Sequence, residues 1–137
     1  MIEEAIHSYN NAVFYIRSAL LDKRTKDTFI EGLKRLAKAY EEIFRALLLL
    51  KDVEPPKNPY IMMEKTIELY PELKEHYEFY KKIKEWLSKD IKAENEGTSK
   101  FTIYINGTTL YLKDMRKLSK DLEILFERFK RYLNAIE

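Results

Sequence analysis

Residues 29–51 read FIEGLKRLAKAYEEIFRALLLLK, the longest and most regular apolar pattern in the chain. Phe29, Leu33, Leu36, Tyr40, Ile43, Leu47 and Leu50 recur at alternating steps of four and three, with Ile30, Ala37 and Phe44 beside them. On an α-helix these positions share one broad stripe. Gly32, Ala39 and Ala46 form a line of small residues alongside, where a neighbouring backbone fits closely. The stretch reads as the central helix of a bundle.

Working outward, Ile2, Ala5, Tyr9, Ala12, Ile16 and Ala19 keep the same rhythm, so residues 2–21 form a first amphipathic helix. The link DKRTKD is short, which implies an antiparallel pair, and Asp27 or Thr28 is placed to cap the central helix, with Glu31 completing a capping box. On the other side, DVEPPKNP ends the pattern, because adjacent prolines do not continue a helix. Asn58 followed by Pro59 starts a third helix, with Tyr60, Met63, Ile67 and Tyr70 as its buried line and a break at Pro71. The pattern resumes through Leu73, Tyr77, Tyr80, Ile83 and Leu87, with Phe79 and Trp86 beside it. DIKAENEGTSK, residues 90–100, has no apolar periodicity and reads as a mobile surface loop.

FTIYINGTTLYL, residues 101–112, obeys a different rule. Asn106-Gly107 between two runs of β-branched and aromatic residues is a strong hairpin signal. A two-residue turn pairs Ile105 with Thr108, Ile103 with Leu110 and Phe101 with Leu112, which puts those six side chains on one face and Thr102, Tyr104, Thr109 and Tyr111 on the other. A last helix follows from about Asp114 to the end, with Met115, Leu118, Leu122, Leu125, Phe129, Tyr132 and Ile136 as its stripe.

At 137 residues the chain suits one domain, 1–137, able to bury roughly two thirds of its unfolded surface. A 45% apolar, 35% charged composition with few Gly and Pro suits a folded helical protein, and a net charge of +2 gives no global pull toward nucleic acid or membrane. The absence of cysteine excludes disulfides, thiolate catalysis and cysteine-held metals. MIEEAIHSYNN lacks a basic n-region, and the longest apolar run, Ala46 to Leu50, is too short for a membrane span, so a cytoplasmic location is expected. Abundant Lys and Glu without Cys or Gln suits a thermophile's usage.

No catalytic constellation stands out. Glu4-x-x-His7 has the spacing of a carboxylate–histidine ligand pair on one helical turn, but the second pair a di-metal bundle needs is missing, since Leu73 stands three before His76. The serines have no glycine-rich elbow, and the three glycines lie in separate elements, so no phosphate loop forms. No metal and no cofactor is expected. Charge is more suggestive: Lys113, Arg116, Lys117, Lys120, Arg128, Lys130 and Arg131 outnumber Asp114, Asp121, Glu123 and Glu127 in the last segment, a candidate nucleic-acid-binding face. The plain alternative is a solvated face of alternating charge.

An antiparallel helix pair over residues 2–51, a proline-marked break at Pro55-Pro56 and two further helices to residue 90 resemble the HEPN-type bundle found beside minimal nucleotidyltransferases and in toxin–antitoxin and RNA-processing systems. Active members share an Arg followed four to six residues later by His. Here Tyr70, Pro71 and Glu72 occupy those places before His76, and His7 lies too near the start. The resemblance therefore implies a member without that RNase activity, and the hairpin departs from the pattern.

The expected fold is mainly α, an antiparallel four-helix bundle with a broken third helix and one inserted β-hairpin at about 101–112. An isolated hairpin is marginal in water, so its apolar face must be covered by the bundle or by another subunit. A homodimer is expected, with Phe101, Ile103, Ile105, Leu110, Leu112, Tyr104, Tyr111 and Trp86 as the candidate interface. Two functions follow: a non-catalytic protein–protein interaction or scaffold bundle acting as a homo-oligomer, or a nucleic-acid-associated, HEPN-like subunit using its basic last helix.

Overall fold

The apolar stripe of residues 29–50 folds as one long helix, and every other helix packs against it. The computed structural model describes residues 2–136. Helix α1, Ile2–Phe14, runs on through one π-helical turn, Tyr15–Ala19, and a final piece, Leu20–Asp22. Helices α2 (Lys26–Leu50), α3 (Pro59–Leu69) and α4 (Lys74–Leu87) follow. Strands β1 (Ile91–Glu94), β2 (Thr102–Ile105) and β3 (Thr108–Tyr111) come next. A short helical segment, Leu112–Arg116, and a 3₁₀ turn, Lys117–Ser119, lead into α5 (Lys120–Ile136).

Among the described residues there are thus five helices and a three-stranded sheet, in place of the expected four-helix bundle with a lone hairpin. The extra helix arises at Pro71. Tyr70 leaves the helical region at φ −133°, ψ 73°, and Pro71 opens a 3₁₀ turn, so α3 and α4 are separate helices. Proline has no N–H to give the preceding turn and disfavours helical geometry in the residue before it. Upstream, Asn58 caps α3 as expected, its side chain accepting from the Tyr60 and Ile61 amides, with Pro59 at the first helical position. The cap of α2 lies earlier than expected. Thr25 Oγ1 accepts from the Thr28 amide, and Glu31 pairs with Arg35 instead of closing a capping box.

Phe29, Leu33, Leu36, Tyr40, Ile43, Phe44 and Leu47 on α2 are fully buried. Each large apolar side chain removed from water contributes about 1.5–3 kcal/mol, which makes this helix the main source of hydrophobic stabilisation. Gly32, the first of the small-residue line, faces the π-helical continuation of α1. A Cβ at Gly32 would stand 3.0 Å from Ile16 Cδ1, and α1 buries small residues of its own, Ala5, Ser8 and Ala12. Two small-residue faces let the helix backbones approach closely.

The hairpin register follows its turn. Asn106 and Gly107 both have positive φ, 47° and 81°, and Ile105 faces Thr108 while Ile103 faces Leu110. The third strand falls within the stretch expected to be a mobile loop. Ile91 to Glu94 pair antiparallel with Ile105 to Thr102, filling one edge of the hairpin. Phe101, Ile103, Ile105 and Leu110 are buried in the core of the same chain, so the bundle itself covers the hairpin's apolar face.

Candidate functional site

The most heavily bonded polar cluster joins α2, α4 and α5. His76 follows Leu73 and precedes Tyr80 on the buried side of its helix, and only 3% of it is exposed. Its Nδ1 lies 2.9 Å from Asp121 Oδ2, which also accepts the Tyr40 hydroxyl at 2.6 Å. Its Nε2 lies 3.3 Å from Arg128 Nη1, and the same nitrogen donates to the Glu72 carbonyl oxygen at 2.8 Å. With the ring proton on Nδ1, the imidazole donates to the carboxylate and accepts from the guanidinium, so both ring nitrogens have a partner. Burial, then the Asp121 charge and hydrogen bond, push the Tyr40 hydroxyl well above its ordinary pKa. The Tyr132 hydroxyl donates to Glu72, and burial with that bond raises it to about 12, while Glu72 is held below the usual carboxylate range by the same bond. With both ring nitrogens engaged and almost no solvent access, His76 ties α4 to α5 and, through Asp121 and Tyr40, to α2.

Arg128 is therefore occupied, although the sequence places it in the basic face. Lys130 pairs with Glu127 at 2.8 Å and lies over the Phe126 ring, and Arg131 is exposed. The other four candidate cations, Lys113, Arg116, Lys117 and Lys120, come together around one groove of about 470 Å³, completed by Arg17 and Leu21. The π-helical turn carries Arg17 to the α5 side, where its Nη2 lies 2.8 Å from both Glu123 carboxylate oxygens. None of the four makes an ion pair among the described residues.

The acids of this segment are used elsewhere. Asp114 accepts from the Tyr111 amide at the start of the short helical segment, Asp121 holds Tyr40 and His76, and Glu123 takes Arg17 and the Ser119 hydroxyl. The alternating charges of the sequence thus separate in space, with cations outward on the groove and these three acids engaged in the fold. A groove so lined favours an anion, and the exposed lysines provide charge-assisted donors to phosphate oxygens.

Of the candidate interface residues, Phe101, Ile103, Ile105, Leu110 and Trp86 are buried within the chain and Leu112 is half-buried, so these side chains offer little to a partner. Lys82 lies over the Trp86 ring at 5.1 Å. Tyr104 and Tyr111 remain at the surface, 37% and 53% exposed. His7, the other histidine, is exposed on α1 beside a groove of about 260 Å³ that also takes in Lys34 and Lys38. The His76 network went unread because its partners lie 45 and 52 residues away. The available signal was a histidine on an apolar helical stripe, where a buried polar ring needs hydrogen-bond partners.

No family model, curated protein or solved structure matches the chain. No helix among the described residues is long and apolar enough to cross a membrane.

Proposed function

We propose that this chain is a nucleic-acid-associated binding module that holds a phosphate backbone along the groove of Lys113, Arg116, Lys117 and Lys120. The observation carrying the reading is the separation of charge in this segment: Asp114, Asp121 and Glu123 are bonded within the chain, Glu123 to the groove's own Arg17, while the four cations make no ion pair among the described residues. Helix order resembling HEPN-type bundles points the same way, toward an antitoxin-like subunit or a nucleotidyltransferase partner. Fluorescence anisotropy with a labelled oligonucleotide tests it. Four phosphate contacts give a log–log salt slope of about −3 to −4, and the triple variant Lys113→Ala, Lys117→Ala, Lys120→Ala flattens it by about 2–3. Absence of binding at low salt, or a variant that binds as the parent does, refutes the proposal.

A second reading, a scaffold acting as a homodimer, is supported by Tyr60, Ile61 and Leu69, exposed apolar side chains on one helix, α3. A light-scattering mass of one chain at micromolar concentration refutes it.

A further inference from the structure

The outer face of the sheet carries a different arrangement. Inward-facing Ile91, Ile103, Ile105 and Leu110 are buried, so the alternate positions of each strand face out. The register sets Lys92, Tyr104 and Thr109 in one row across the three strands, and Glu94, Thr102 and Tyr111 in the next, all exposed except Thr102, which is buried. Tyr104 donates its hydroxyl to Glu94 at 3.2 Å, which restrains the ring, and the residue stays 37% exposed.

At the rim of this face, a cleft of about 350 Å³ is lined by Lys89, Lys92 and Tyr104 together with Asp90. It shares Lys89 and Asp90 with a larger cleft of about 500 Å³, where Lys26, Lys34 and Lys84 surround Ile30 and Leu87. The two form one path from α2 across the end of α4 to the sheet. Five lysines border it, none ion-paired among the described residues; Asp90 is the carboxylate in its lining, and Glu94 and Glu96 stand at its two ends, bonded to the Tyr104 hydroxyl and to the Lys26 amide. These residues come from α2, α4, β1 and the link between α4 and β1, so only the tertiary fold assembles the path.

We infer that this path and the outer sheet face bind single-stranded nucleic acid, with an unpaired base stacked on Tyr104 and the phosphates tracked by Lys26, Lys34, Lys84, Lys89 and Lys92. An accessible tyrosine ring beside a lysine-lined cleft suits a strand whose bases are free to leave the stack, whereas a duplex keeps its base faces paired and hidden. The inference rests on nucleic acid as the ligand class proposed above and uses none of the residues of that groove.

The test is anisotropy titration of a labelled oligo-uridine strand and of a duplex of equal length, with circular dichroism and light scattering on every variant. Tyr104→Ala is expected to weaken strand binding about tenfold or more, Tyr104→Phe to retain it, and the duplex affinity to change little. The pair Lys89→Ala, Lys92→Ala is expected to flatten the strand's salt slope by about 1.4. If the parent binds, the Lys113, Lys117 and Lys120 variant loses binding and the Tyr104 and lysine variants do not, the inference fails while the proposed function stands. Absence of any binding by the parent removes both. A Tyr104→Ala loss that accompanies dissociation of a dimer assigns the face to a subunit contact and overturns the inference, as does a tyrosine variant that weakens strand and duplex equally.

Discussion

Replacing Asp121 with Ala removes one carboxylate oxygen that serves two buried donors, the Tyr40 hydroxyl at 2.6 Å and His76 Nδ1 at 2.9 Å. Tyr40 is fully buried and His76 nearly so, which leaves both donors short of water once the carboxylate is gone. Each hydrogen bond to a charged group contributes about 1.5–3 kcal/mol, giving a nominal loss of about 3–6 kcal/mol. Asp121 is itself 26% exposed, so water entering the vacated space restores part of this, and the lower half of that range is expected. Against a total stability of about 5–15 kcal/mol the change is large, and it lowers Tm by about 10–15 °C for a chain of this size. Asp121→Asn keeps an oxygen able to accept both bonds and loses only the charge, so it costs about 1–2 kcal/mol. Urea unfolding followed by circular dichroism reads both variants, with an unchanged m-value showing that stability alone has moved. A loss below about 1 kcal/mol for the alanine variant, or an asparagine variant as damaged as the alanine one, refutes the claim that this network holds α2, α4 and α5 together.

Ala39 is fully buried on the small-residue line of α2, so Ala39→Leu forces added volume into a closed contact and is expected to destabilise by about 1–3 kcal/mol. An unchanged melting temperature places that line away from close packing. Alkaline titration probes the Tyr132–Glu72 bond. The native state raises the Tyr132 hydroxyl from 10.0 to about 12, so it binds that proton more tightly than the unfolded chain does. The corresponding stabilisation is complete below pH 10 and is lost as pH rises toward 12, so Tm falls through that window, and Tyr132→Phe lessens the fall. A parent Tm that stays flat there refutes the assignment. Glu72, with its pKa lowered from 4.5, acts in the opposite sense, its contribution draining as pH drops below 4.5 through the lower native value.

Much of the architecture was legible because its causes are local. The stripe of residues 29–50, the Asn58-Pro59 start, the break at Pro71 and the Asn106-Gly107 turn each depend on residues within a few positions of one another. Strand β1 was not legible. Ile91-Lys92-Ala93-Glu94 has little β-propensity of its own and becomes a strand by pairing with the free edge of β2, beyond a loop. The cap of α2 was misplaced because Thr25 and Thr28 carry the same hydroxyl, and the choice between them depends on how α1 ends and on the loop after β1, whose Gly97 amide donates to the Arg24 carbonyl.

For the candidate sites the division is sharper. Sequence alone determined that Lys113, Arg116, Lys117 and Lys120 share one basic segment, because consecutive turns of one helical stretch keep their side chains near each other whatever the fold. Tertiary structure decided what those charges are free to do. It drew Asp121 and Arg128 onto His76, gave Glu123 to Arg17, and brought lysines from α2, α4 and β1 to one path beside Tyr104. A charge's effect depends on its distance from other charges and from water, and for residues far apart in sequence those distances exist only once the chain has folded.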